Sequence, residues 1–237
     1  MNPIITNALT KKFGSFIATN AITFEVKQGE IFGFLGANGA GKTTAMRMLC
    51  GLLRPTSGEA KVAGYDVYTQ ADKVKQHIGY MSQKFSLYED LKVKENIRFY
   101  GGIYGLSDSA IKEKTNQLLQ KLQMEKEADQ LVSSLPLGWK QKLSFSIAIL
   151  HDPTIVFLDE PTGGVDPVAR RPFWGLVYEA AEPCVTIFVT THYMDEAEYC
   201  DRVSIMVDGR IRALDTPRAL REQFGAGSMD DVFLKLA

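Results

Sequence analysis

Short apolar runs crowd both ends of this chain, and a long polar stretch with helical spacing separates them. ITNAL, ITFEV and IFGFLG come before residue 40; TIVFLD, VTIFVT and RVSIMV come after residue 153, with IRALD following. Several of these runs are apolar without alternation, as in parallel strands covered by helices on both faces. Residues 93–132 differ: VKENIRFYGGIYG and DSAIKEKTNQLLQKLQMEKEADQLV are rich in Lys, Glu, Gln and Leu at helical spacing. The pattern predicts an α/β core interrupted by a helical insertion. Ser107 and Asp108 offer cap chemistry for the second long helix of the insertion, and GGIYG reads as a hinge or helix end. The terminal VFLKLA has the apolar spacing of a helix packed on its own domain or on a second copy. Pro172 predicts a kink or a late start in the helix that follows residue 166.

Composition narrows the function classes. Lys and Arg number 27 and Asp and Glu 28, a formal net charge of −1. No overall basic field awaits a nucleic-acid backbone, so no nucleic-acid partner is expected. No stretch approaches the roughly 20 continuous apolar residues of a membrane span, and the first residues lack the apolar core of a secretion signal, so a cytosolic location is expected. Cys50, Cys184 and Cys200 are odd in number and scattered. They read as buried or spare thiols rather than as a zinc or redox site.

The chemistry begins at GANGAGKTT, residues 36–44, between the apolar IFGFL and the helical AMRMLCGLL. Glycine, four residues, then Gly-Lys-Thr in a strand-loop-helix context is a phosphate loop. Gly36, Gly39 and Gly41 let the backbone, through Asn38 and Ala40, wrap closely and aim its N–H groups at phosphate oxygens; the helix behind adds its positive end. Lys42 is set for the β- and γ-phosphates and the Thr43 hydroxyl for Mg²⁺, with Thr44 beside it. TIVFLDEP carries Asp159 to the C-terminal end of another buried strand, where open α/β sheets put their ligands. Asp159 can hold Mg²⁺ through water, and Glu160 can polarise an attacking water. VTIFVTTH brings His192 to the same edge, as a γ-phosphate sensor that orients that water. His77 and His151 read as incidental.

These motifs, in this order and over essentially the whole chain, resemble the ATP-binding subunit of ATP-binding-cassette (ABC) transporters. The resemblance implies a P-loop core with an antiparallel β subdomain and an inserted helical subdomain. The core would take residues 1–84 and 153–215, the helical subdomain 85–152, and C-terminal helices 216–237. Phe13 in LTKKFG matches the aromatic residue that stacks on adenine. Gln83 matches the glutamine that touches Mg²⁺ or the attacking water and marks the hinge into the helical subdomain. Asp166 in TGGVDP matches the aspartate that communicates across the dimer, and His192 the switch histidine. The family pattern implies a head-to-tail dimer, with a second copy or a related subunit, around two Mg-ATP. It also implies a separate membrane-spanning partner, whose helix docks beside Gln83 on Phe85, Leu87 and Tyr88, and a peripheral position on the inner membrane face.

The family's signature usually reads Leu-Ser-Gly-Gly-Gln. Here that position falls on Leu135, Pro136, Leu137, Gly138 and Trp139, with Gln141 matching the next glutamine. Pro136 supplies neither a hydroxyl nor a backbone N–H. Gly138 and the helix end are left to face the γ-phosphate, with Lys140 as an added charge. Gly163 and Val165 stand where Ser and Leu are common, and Ala37 where Pro is common. LPLGWKQKL, TGGVDPVARRPFW, VTTHYMDEAEYCDR and SMDDVFLKLA look most like ATPases of the multidrug and drug-resistance exporter class. The charged VTTHYMDEAEYCDR segment also reads as a solvated helix face. Two other readings remain at this stage: a mechanical switch on a nonmembrane assembly, and a weakly hydrolysing regulatory subunit.

Overall fold

The computed structural model describes residues 2–84, 86–165 and 167–237. Two sheets form. Strands β1 (Ile4–Phe13), β2 (Phe16–Val26), β4 (Ser57–Val62) and β5 (Tyr65–Asp66) make an antiparallel sheet in the order β2-β1-β4-β5. The larger sheet holds β3 (Ile31–Leu35), β6 (Ile78–Met81), β7 (Ile155–Asp159), β8 (Thr186–Thr191), β9 (Arg202–Val207) and β10 (Arg210–Asp215). Its order is β10-β9-β3-β8-β7-β6, parallel throughout except for β10.

The apolar runs of β3, β7 and β8 are buried at every position because both faces of the sheet are covered. Phe32, Phe34, Phe157 and Phe188 face the antiparallel sheet and helix α1 (Lys42–Leu49), with Phe24 stacked on Phe32 at 5.6 Å. Leu35, Val156, Leu158 and Val189 face the opposite layer, which contains α5 (Leu137–Ala148), α6 (Pro167–Ala181), α7 (Pro217–Phe224) and α8 (Met229–Leu236). A short helix, α2 (Ala71–His77), leads into β6. Gly79 in β6 is required by close approach: a Cβ there would lie 2.2 Å from the Ala148 carbonyl oxygen at the end of α5.

The insertion has its own apolar cluster. Helices α3 (Val93–Ile103) and α4 (Asp108–Leu122) pack Ile97, Leu118 and Leu119 against Leu143 and Ile147 of α5. The Ser107 hydroxyl accepts from the Ala110 amide and so caps α4, while α3 ends in the GGIYG segment with Gly105 at φ +76°. Buried Asn96 fixes the loop before α3 by exchanging two 2.9 Å hydrogen bonds with the Tyr88 backbone.

Two expectations need amending. Helix α6 begins at Pro167 and runs through Pro172, so there is no late start. Pro172 is exposed, and the lost amide bond is offset by Phe173, Trp174 and Val177, which are buried on the inner side of the same helix. The segment after His192 is a 3₁₀ turn, Met194–Tyr199, whose Glu196 is fully buried rather than solvated. Strands β4 and β5 and the four-residue β6 are not announced by the apolar pattern. Helix α8 packs on its own domain through buried Met229 and Val232.

Candidate nucleotide-binding and catalytic site

Parallel pairing brings the chemistry to one edge. Leu35 pairs with Thr191, Asp159 with Thr190 and Met81 with Leu158. The residues that follow these strands, Gly36, His192, Glu160 and Gln83, therefore emerge together. Gly36, Gly39 and Gly41 all have positive φ, and a Cβ on Gly41 would sit 2.1 Å from the Ala18 carbonyl oxygen. Only glycine fits there. The loop leaves Asn38 and Gly39 exposed, buries Ala40 and delivers α1 with its first-turn amides towards the opening.

Lys42 is buried, and its Nζ donates to the Gly36 and Ala37 carbonyls at 2.8 and 3.0 Å and lies 3.5 Å from Glu160 Oε1. Burial lowers its pKa, and the Glu160 carboxylate pulls it back up. Thr43 Oγ1 donates to Asp159 Oδ1 at 3.1 Å, and Thr190 Oγ1 to the same oxygen at 2.7 Å. Burial raises the Asp159 pKa, against the pull of those two hydroxyls. Thr44 is half-buried on the same turn.

Glu160 is held from several directions. Its amide donates to the Thr190 carbonyl and hydroxyl at 3.0 and 3.1 Å, and its φ of +47° is left-handed. A non-glycine residue there stores on the order of 1 kcal/mol or more of strain, a feature that clusters at functional sites. Gln83 Nε2 donates to Glu160 Oε2 at 2.9 Å. His192 Nδ1 stands 3.2 Å from the same oxygen but without hydrogen-bond alignment. Lys42, Gln83 and His192 thus converge on one buried carboxylate.

A cavity of about 480 Å³ opens over this edge, walled by Gly41, Lys42, Thr43, Gln83 and Glu160 and, on the far side, by Phe16 and Ala18. Phe13 pairs with Phe16 across the β1–β2 hairpin and is 49% exposed, with Lys11 Nζ 5.1 Å over its ring, but it does not line the cavity. Gly138 also lies away from the cavity, in the first turn of α5, whose N-cap is Pro136. The Trp139 and Lys140 amides both return to the Pro136 carbonyl, at 3.0 and 3.1 Å. Lys140 Nζ is bound to Glu89 Oε1 at 2.7 Å. Asp166 and Phe85 lie outside the described residues.

The sequence reading missed Phe16, Thr190 and Glu196. Every position of β8 is buried, so no alternation singles out Thr190, and the other two carry no signal either. His151 is stacked on Tyr104 at 3.9 Å, and burial lowers its pKa. Cys50 and Cys200 are buried and Cys184 exposed, and no cluster of metal-ligating side chains occurs among the described residues.

The glycine-lined loop, buried lysine and strand-end carboxylates define a phosphate-loop nucleotide-binding domain. The chain belongs to the ABC transporter family, whose model, "ABC transporter", matches residues 19–163, and it has the fold of that family's ATPase domain. It is 48% identical over 229 residues to an Escherichia coli (strain K12) protein described as "Probable multidrug ABC transporter ATP-binding protein YbhF". That match covers 97% of this chain and 40% of YbhF, so the chain spans well under half of that relative. It is 38% identical to "Nod factor export ATP-binding protein I" of Burkholderia lata, over 93% of this chain and 73% of that protein. The solved structure of an "ATP binding subunit of ABC transporter" superposes with a TM-score of 0.87 at 28% identity, over 98% of both chains. No helix among the described residues is long and apolar enough to cross a membrane.

Proposed function

We propose that this domain binds Mg-ATP at the phosphate-loop edge, hydrolyses it, and drives a separate membrane-spanning subunit of an export system. The observation that carries the reading is the convergence of Lys42, Gln83 and His192 on the Glu160 carboxylate at the mouth of the cavity. The first-turn amides of α1 and the Lys42 ammonium hold the β- and γ-phosphates. An arriving γ-phosphate gives Lys42 an anionic partner, which frees Glu160 to polarise water while Gln83 and His192 orient it. Thr43, Asp159 and Gln83 offer hydroxyl, carboxylate and amide oxygens, the hard donors that suit Mg²⁺. When bound, the cation neutralises charge on the β- and γ-phosphates. The base stacks at the aromatic end of the β1–β2 hairpin, where Phe13 and Phe16 are paired.

A second copy, or a related ATPase domain, contributes the start of α5 with Gly138 across a head-to-tail interface, and Asp166 takes part in the communication between sites. The membrane subunit docks beside the segment after Gln83, where Tyr88 and Phe99 are exposed and packed edge to face at 4.8 Å. The domain then lies peripherally on the inner membrane face through that partner. The separate apolar cluster of α3–α5 supports a helical subdomain at 85–152, between core segments 1–84 and 153–215, with C-terminal helices at 216–237. Similarity to a Nod factor export protein supports export as the direction, and similarity to a probable multidrug transporter protein fits it.

Glu160→Gln tests the reading. It should retain ATP binding, lose hydrolysis by about a hundredfold or more, and accumulate a closed dimer. Turnover close to wild type would remove Glu160 from the chemistry.

A further inference from the structure

The dipeptide that follows Glu160 is gripped from two sides. Gln141 Nε2 donates to the Pro161 carbonyl at 2.9 Å, and Thr162 Oγ1 donates to Glu196 Oε1 at 2.5 Å. Gln141, Thr162 and Glu196 are all fully buried. The two grips come from different elements. Gln141 sits one turn into α5, the helix whose first residues face a partner nucleotide under the proposed dimer. Glu196 sits in the 3₁₀ turn directly after His192 and also accepts from Trp174 Nε1 at 3.3 Å, within α6.

Both side chains are committed at one end and open at the other. Gln141 Oε1 and Glu196 Oε2 are buried atoms without a hydrogen-bond partner among the described residues. A buried polar side chain satisfied at only one end is costly for stability alone, and an apolar residue of the same shape would serve packing better. Their polar character is instead used on Pro161 and Thr162, the peptide adjoining the carboxylate already strained at φ +47°. On the other side of Glu160, its amide is fixed to Thr190. A shift of α5 would therefore reach Glu160 through Pro161, while the Thr190 contacts hold its strand side.

We propose that Gln141 is a positioning residue that transmits movement of the start of α5 to Glu160 of the same chain, with Thr162 and Glu196 as the matching link to the His192 segment. This rests on the hydrolytic reading of Glu160. Its consequence is reciprocal: a nucleotide in the partner's site, met by the start of α5 here, adjusts the catalytic carboxylate here.

The test uses the full chain with Gln141→Met, which keeps length and removes the donor to Pro161. The steady-state ATPase rate is read against ATP concentration, beside the Kd of a fluorescent ATP analogue and a thermal melt. The expected result is a fall in kcat of about tenfold with KM and Kd within twofold, and a Hill coefficient reduced towards 1. A purely structural role would lower the melting temperature without moving the Hill coefficient. Unchanged kcat and Hill coefficient, or a loss of kcat matched by an equal loss of nucleotide affinity, overturns the proposal. If Gln141→Met does not fold, Thr162→Val breaks the other link and is read in the same way. Amide hydrogen exchange supplies the readout that does not depend on turnover. ATP should slow exchange at 137–141 and 161–165 together in the wild type and only at 137–141 in Gln141→Met. An unchanged pattern in the variant overturns the coupling, whereas a wild type that binds ATP without hydrolysing it overturns only the role given to Glu160.

Discussion

Thr43 and Asp159 lie 116 positions apart in sequence, and Thr43 Oγ1 donates to Asp159 Oδ1 at 3.1 Å. Thr190 donates to that same oxygen at 2.7 Å. Two hydroxyls thus serve one buried carboxylate, yet burial outweighs them and raises its pKa above the ordinary 3.8. Without a cation, this charge works against folding.

The sign follows from proton linkage. Between 3.8 and the raised value, the folded state holds more protons than the unfolded state, so stability rises as pH falls through that window and is lower above it. Asp159→Asn keeps an oxygen for both hydroxyls and removes the charge. At neutral pH it should stabilise the nucleotide-free protein by about 1 kcal/mol, or roughly 2–4 °C in Tm. The gain should shrink as pH falls through the raised value, where the folded Asp159 takes up its proton. Lys42 is not stranded by the change, because Glu160 is its larger charge partner. Thermal melts of both proteins at neutral and acidic pH decide it, and equal Tm at neutral pH would contradict the account. The same substitution should weaken Mg²⁺-dependent ATP binding.

The hairpin aromatics can be separated by ligand choice. Phe16 lines the cavity, while Phe13 stands beside it under Lys11. Stacking on a base is worth about 1–3 kcal/mol, and tripolyphosphate has no base. Phe16→Ala should therefore raise the Kd for ATP by about tenfold and leave that for tripolyphosphate unchanged. Calorimetric titration of Phe16→Ala and Phe13→Ala with both ligands checks this. Loss of ATP affinity in Phe13→Ala alone would assign the base to Phe13 and leave Phe16 as a bystander.

How much of this was legible depended on whether a residue's role is local. The phosphate loop is local: glycine spacing alone forces the wrap, and the flanking periods name the strand and the helix. Asp159 and Glu160 follow from an apolar run ending in acid. The apolar pattern did not disclose β4, whose six residues include four that are exposed, or β6, where Gly79 interrupts a four-residue run. Phe16 and Thr190 needed the tertiary register to bring them to the cavity and to Asp159. Glu196 is the sharpest case: DEAE reads as a solvated face, and only the arrival of Thr162 and Trp174 from elsewhere in the chain explains its burial. The Lys140–Glu89 pair is equally non-local, its members lying 51 positions apart.

That pairing sharpens the question at the start of α5. Pro136 caps the helix with φ −58° and ψ 150° but without a side-chain hydrogen bond, and Leu137 is 44% exposed in the first turn. Serine at this N-cap can accept from an amide in the first turn, worth about 1 kcal/mol of helix stability, and it restores both a hydroxyl and a backbone N–H. Pro136→Ser with Leu137→Gly should then raise ATPase activity several-fold if the partner's γ-phosphate is met here by too few donors. Stability and activity must be read separately, because the cap can raise Tm whatever the nucleotide does, while glycine at 137 lowers folding stability by about 1 kcal/mol at most. Parallel melts and ATPase assays on wild type and the double variant make that separation. A higher rate at unchanged Tm supports a shortage of donors, whereas an unchanged rate means that the Gly138 amide and the helix end already supply what the γ-phosphate requires.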